Sequence, residues 1–129
     1  MHEGRTRGEL GADQLQWLGA QLAATTRPVV LFLHHPPVRV RCWFVDRDLL
    51  RDRDQLAALL RPRPPLAIFT GHVHQAHELE FAGAPVFTTP AVAYQYGLHS
   101  WVPLPKSLRP ALRILELDGG VVRSEVVRL

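Results

Sequence analysis

The alternation of apolar runs, a helical stretch and glycine turns predicts an α/β fold in which a βαβ unit is followed by antiparallel hairpins. Three observations predict it. Val29-Val-Leu-Phe-Leu33 and Leu66-Ala-Ile-Phe-Thr70 are short apolar runs rich in strand formers, each stopped by turn residues, as buried strands are. Between them Leu49, Leu50, Leu56, Leu59 and Leu60 recur near helical spacing. Beyond them the sequence alternates on either side of Gly83 and again on either side of Gly119-Gly120, the pattern of two hairpins.

In chain order, Leu10, Leu15, Trp17, Leu18, Leu22 and Ala23 mark a surface helix that ends before Pro28. The first strand, 29–33, stops at His34-His35-Pro36-Pro37, because proline cannot donate to a ladder. Residues 38–48 read as irregular. Trp43 and Phe44 there either border a pocket mouth or pack on the core. The second helix, Leu49 to Leu60, is closed by Pro62, Pro64 and Pro65, and the second strand, 66–70, follows. Residues 77–82 and 85–89 form the first hairpin, 90–110 are irregular, and 111–118 with 121–129 form the second.

The 129 residues, 47% of them hydrophobic, suffice for one domain spanning 1–129 with a real core. The formal charge is +3, yet 14 of the 15 basic residues are arginines scattered among 12 acids. That spread excludes a nucleic-acid footprint, which concentrates cations on one face. Arg47, Asp48, Arg51, Asp52, Arg53 and Asp54 intersperse opposite charges as a solvated helix face does. The single cysteine, Cys42, excludes a disulfide framework and a cysteine zinc knuckle, and fits a reducing compartment. The first eight residues lack the apolar core of a signal peptide, and no run approaches membrane-spanning length, so the expectation is a cytoplasmic protein with no membrane partner.

The chemistry gathers at Gly71-His72-Val73-His74-Gln75. Two histidines spaced by two on an extended backbone point to the same side, with alpha carbons about 6.5 Å apart. Parallel strands of a βαβ unit end at one rim of the sheet, where ligands of such sheets bind. His34 therefore converges on His72 and His74 for a topological reason, and imidazoles gathered in this way are metal donors. His35 points away from His34 if the backbone stays extended. His35, His77 and His99 are secondary candidates as ligands, and His35 and His77 are candidates for substrate binding, a role the sequence does not assign. Asp46 and Asp48 lie in the following loop, although spacing alone does not direct them to the site.

His34-His35-Pro36-Pro37, Gly71-His72-Val73-His74-Gln75 and Thr89-Pro90-Ala91-Val92-Ala93-Tyr94-Gln95 resemble the C-terminal half of the calcineurin-like metallophosphoesterases, above all the bacterial class III cyclic-AMP phosphodiesterases. The resemblance runs from about Gly8 to the end of the chain. It implies the C-terminal half of a four-layer α/β/β/α sandwich and a centre of two divalent ions, manganese, iron or zinc. His34 and His72 would serve one ion and His74 the other, and the substrate would be a small-molecule phosphodiester.

The family's remaining ligand elements, Asp-x-His, Gly-Asp and Gly-Asn-His-Asp, do not occur, and the chain has no asparagine at all. A dinuclear phosphoesterase needs ions about 3.5 to 4 Å apart. Three neutral imidazoles without a bridging carboxylate cannot offset two dications. The expectation is at most one weakly held ion, no catalytic residue assigned within the chain, no activity in isolation, and either a missing N-terminal half or self-association as partner. Two alternatives stay open: a non-catalytic metal-binding module, and an esterase of other phosphoesters.

Overall fold

A computed structural model of the chain describes residues 7–98 and 101–129, so His99 lies outside the described residues. Among the described residues the elements are α1 (Gly11–Ala24), β1 (Val30–Leu33), α2 (Arg53–Leu60), β2 (Ala67–Thr70), β3 (Glu78–Phe81), β4 (Ala84–Thr88), β5 (Gln95–Tyr96), β6 (Pro105–Ser107), β7 (Ala111–Asp118) and β8 (Val121–Arg128). The fold is mixed α/β. Its main sheet has the order β1-β2-β4-β3, with β1, β2 and β4 parallel and β3 antiparallel. The register of β1 and β2 runs from Val30↔Ala67 to Leu33↔Thr70, so the two strands end level. The next residues, His34 and Gly71, emerge side by side, and the Gly71 N–H donates to the His34 carbonyl at 3.1 Å.

Side chains alternate across a sheet. Leu31, Leu33, Ile68, Ala84 and Val86 accordingly share the face that α1 and α2 cover, where they pack with Leu18, Leu22, Leu56 and Leu60. Leu56, Leu60, Ile68 and Val86 are fully buried, and each such side chain contributes roughly 1.5–3 kcal/mol. On the opposite face Phe32, Phe69 and Phe87 stand in register across three strands. Their rings stack at 5.5 and 5.2 Å, and the Arg113 guanidinium of β7 lies 5.2 Å from the Phe87 ring centre. Phe32, on the edge strand, is 67% exposed.

Two readings of the charged segment need correction. The second helix starts at Arg53 rather than Leu49; Asp46–Asp48 form a short 3₁₀ turn, and Leu49 is extended. Leu49 and Leu50 are buried as anchors of the loop, and the Leu50 N–H bonds to the Pro36 carbonyl at 3.1 Å. Asp52 is not on a solvated face. It is 7% exposed, and its carboxylate accepts the Leu10 N–H at 3.0 and 3.1 Å and the Gly11 N–H at 2.8 Å. A carboxylate here satisfies free amides at the start of α1 and complements the positive end of the helix dipole.

Both hairpins turn as the glycines predict. Ala82 and Gly83 have φ of 52° and 83°, Gly119 and Gly120 of 54° and 82°, the paired positive values of a two-residue type I′ turn. The irregular region holds one short antiparallel pair, β5 with β6. Phe44 packs on a small second core with Val40, Cys42, Val45 and Val73, while Trp43 is exposed beneath the Arg47 guanidinium. Among the described residues no helix is long and apolar enough to cross a membrane.

Candidate metal centre

Three histidines meet at the level ends of β1 and β2. One ligand atom from each of His34, His35 and His72 falls within 4.8 Å of the others. The ring centres lie 5.1 Å apart for His34 and His35, 5.4 Å for His34 and His72, and 4.1 Å for His35 and His72. The chain bends at His34 and His35 ahead of the buried Pro36 and Pro37, so the extended backbone that would turn His35 away ends one residue early. His35 thus joins the cluster.

His74 does not. The expectation of a common direction for His72 and His74 required an extended backbone, yet their φ values are 65° and 51°. The cause is local. Val73 is fully buried in the second core, and its N–H closes a tight turn onto the Gly71 carbonyl at 2.7 Å. Pinning Val73 inward throws the flanking histidines into the left-handed region, which histidine visits more readily than most side chains. The His74 ring sits 4.7 Å from Tyr94 and 5.3 Å from Tyr96, and its Nδ1 donates to the Tyr94 carbonyl at 3.1 Å. A carbonyl can only accept, so Nδ1 carries the proton and Nε2 keeps a lone pair.

The same logic fixes His35, whose Nδ1 lies 2.7 Å from the Asp48 carbonyl and must donate to it. Nε2 is left as the donor atom for an ion. Two glycines pack against these rings. A methyl in place of the Gly8 hydrogen would sit 2.4 Å from His35 Cδ2, and one on Gly71 would sit 3.3 Å from His34 Nδ1. Sequence reasoning missed Gly8 and the Asp48 carbonyl, since neither carries a periodic or motif signal.

Burial first, then the neighbouring charges of His35 and His34, push the His72 pKa down to about 4. His34 is lowered by partial burial, then by His35 and His74. Both are therefore neutral at pH 7, the form that ligates metal. The charge of Asp48 acts on His72 in the opposite direction, whereas Asp46 is engaged elsewhere, accepting the Val40 N–H at 2.8 Å. Three nitrogen donors of this kind fit one borderline divalent ion.

His77 stands apart from the cluster. Its Nε2 is 2.7 Å from Gln75 Oε1, its N–H donates to Thr88 Oγ1 at 2.9 Å, and the buried Gln75 amide donates to the Gly97 carbonyl at 2.6 Å. The Thr88 bond ties the histidine loop to the first hairpin, and the Gly97 bond ties it to the segment after β5.

No family model matches the chain. It is 34% identical over 129 residues to the 3′,5′-cyclic adenosine monophosphate phosphodiesterase CpdA of Escherichia coli, covering 98% of this chain and 47% of that protein. It is 31% identical over 117 residues to a 3′,5′-cyclic-nucleotide phosphodiesterase of Nostoc, covering 87% and 44%. The chain thus spans about half the length of the curated relatives it matches. A crystal structure of Vps29 complexed with Zn2+ from Entamoeba histolytica superposes with a TM-score of 0.34 at 23% identity, covering 60% of this chain and 47% of that one, an overlap from which nothing follows.

Proposed function

We propose, from a homology to cyclic nucleotide phosphodiesterases that spans nearly the whole chain, that these residues form the histidine-bearing C-terminal half of a metal-dependent phosphodiesterase. Its substrates are cyclic nucleotides or related phosphodiesters. The observation that carries this reading is the meeting of His34 and His72 at the level ends of β1 and β2. Neither the hydrophobic core nor the hairpins require two imidazoles at that rim.

In the intact protein His34 and His72 would hold one ion and His74 a second, and such ions polarise phosphoryl oxygens and lower the pKa of water. The chain's own contribution is to present neutral imidazoles in fixed tautomers. The Asp48 and Tyr94 carbonyls hold the Nδ1 protons of His35 and His74, so each Nε2 keeps its lone pair. Asp-x-His, Gly-Asp and asparagine are absent from the sequence, which supports a need for carboxylate ligands from a complementary half or a second copy. The exposed Phe32 at the edge of the aromatic face is apolar surface that such a half would cover.

The test is a chimera joining this chain to the amino-terminal half of the Escherichia coli relative. With Mn2+ it is expected to hydrolyse cyclic AMP or bis-p-nitrophenyl phosphate and to lose that activity on His72→Ala, while the chain alone gives background. A folded chimera inert toward every phosphodiester in a panel would overturn the reading. Turnover by the chain alone would overturn its dependence on a complement.

A further inference from the structure

We propose that the concavity lined by Arg7, Arg39, Arg47, Arg51 and Arg53 binds the linked phosphates of a small oligophosphate-bearing molecule. None of the clustered histidines lines it, and the proposal stands apart from the phosphodiesterase reading.

The sequence alternates charges here, in Arg47-Asp48 and again in Arg51-Asp52-Arg53-Asp54, and the fold sorts them. Asp52 is buried against the amides that open α1. Asp46 accepts the Val40 N–H at 2.8 Å, and the charge of Asp48 acts on His72. With the acids turned to these tasks, the five arginines border a cavity of about 300 Å3 whose lining holds one carboxylate, that of Asp46. Charge of one sign gathered around a concave surface focuses the field and concentrates counter-ions there.

The cavity has a fixed floor. Leu49 and Leu50 line it and are buried, and the Leu50 and Arg51 N–H groups donate to the Pro36 and Gly8 carbonyls at 3.1 and 2.9 Å. The Arg47 guanidinium rests over Trp43 at 5.1 Å from the ring centre, and a stacked guanidinium keeps its in-plane N–H groups for acceptors. Arg51 pairs with Glu9 at 3.5 Å, both side chains being well exposed. An exposed pair contributes about 0–1 kcal/mol, so Arg51 can exchange Glu9 for a stronger anion.

Arginine identifies the ligand class, because its planar fork matches phosphate oxygens two at a time. A single phosphate ester carries about two negative charges, too few to balance five cations. The cavity holds roughly ten water volumes, which is room for more than one tetrahedral group. Two or three linked phosphates suit both the charge and the space. A nucleic-acid strand would need cations drawn out along a stripe, whereas these surround one hollow.

The experiment is a calorimetric titration of the purified full chain with tripolyphosphate at about 0.15 M salt, with a chelator present so that no metal bridges the anion to the histidines. One saturable site per chain is expected, with inorganic monophosphate bound at least about tenfold more weakly. Arg39→Gln and Arg53→Gln should each weaken binding by about tenfold, the loss of one charge-assisted hydrogen bond. Arg123→Gln removes the same charge from β8 and should change it by less than about twofold. In case a glutamine variant is misfolded, the arginine Nε–H signals of the unsubstituted chain report independently: those of Arg39, Arg47, Arg51 and Arg53 should shift and that of Arg123 should not. ATP, which carries the same group, is the second probe. Equal affinity supports recognition of the phosphates alone, and tighter binding supports a nucleotide as their source. Monophosphate binding as tightly as tripolyphosphate, an equal loss in Arg123→Gln, loss of binding on His72→Ala, tighter binding of a single-stranded oligonucleotide, or no saturable binding would each overturn the proposal. None of these touches the phosphodiesterase reading, which stands or falls on turnover by the chimera.

Discussion

The imidazoles of His35 and His72 lie 4.1 Å apart between ring centres, closer than either lies to His34. Burial of His72, followed by the neighbouring charges of His35 and His34, disfavours a proton on its ring. Its pKa of about 4 lies below the ordinary 6.5, so between these values the unfolded chain binds the additional proton. The contribution of His72 to stability is thus complete above pH 6.5, drains away as the pH falls toward 4, and is flat below. In the metal-free protein, NMR titration should place the His72 midpoint near 4, and His72→Gln should flatten the loss of stability over that window. A His72 midpoint at 6.5 would contradict the packing described.

Gly8→Ala should displace the His35 ring, because the new methyl would sit 2.4 Å from Cδ2. Overpacking of this kind costs about 1–3 kcal/mol. Urea unfolding measures the cost, and a changed His35 ring-nitrogen shift reports the displacement. An unchanged spectrum with unchanged stability would mean that Gly8 does not press on the ring.

Asp52→Ala removes the carboxylate that accepts the Leu10 and Gly11 amides. Hydrogen bonds to a charged group contribute about 1.5–3 kcal/mol. Thermal unfolding should show a loss of that order, with Asp52→Asn recovering part of it, since the amide oxygen still accepts but carries no charge.

Gln75→Ala strips the donor from the buried Gly97 carbonyl, a loss of about 1–3 kcal/mol. Hydrogen exchange should quicken at residues 71–77 more than in β2. Uniform exchange across the sheet would mean that the loop is held by something other than Gln75.

The strands and hairpins were legible in the sequence because each states its own geometry: β2 is buried at all four positions, and Gly119-Gly120 supplies both positive φ values of its turn. Parallel pairing then brought His34 to His72 without any side-chain detail. The direction of His74 was not legible, since it depends on whether Val73 finds a core to enter, and that core is assembled from Val40, Cys42 and Val45, some thirty residues earlier. Asp52 was misread for a similar reason. Nothing local separates a carboxylate on a solvated face from one that reaches the start of a helix 41 residues away. His35 joined the cluster because the chain bends before Pro36, a change of direction that alternation cannot anticipate.

The left-handed backbone at His72 and His74 has a practical side for protein engineering. Holding a side-chain-bearing residue there costs on the order of 1–3 kcal/mol, and glycine escapes most of it. A library screened only for heat resistance should therefore enrich glycine at 72 and 74, and each winner would have discarded an imidazole. Thermostable variants of this chain are best selected with a metal-binding readout alongside the melting temperature, because at these two positions the stabilising change and the loss of chemistry are one substitution.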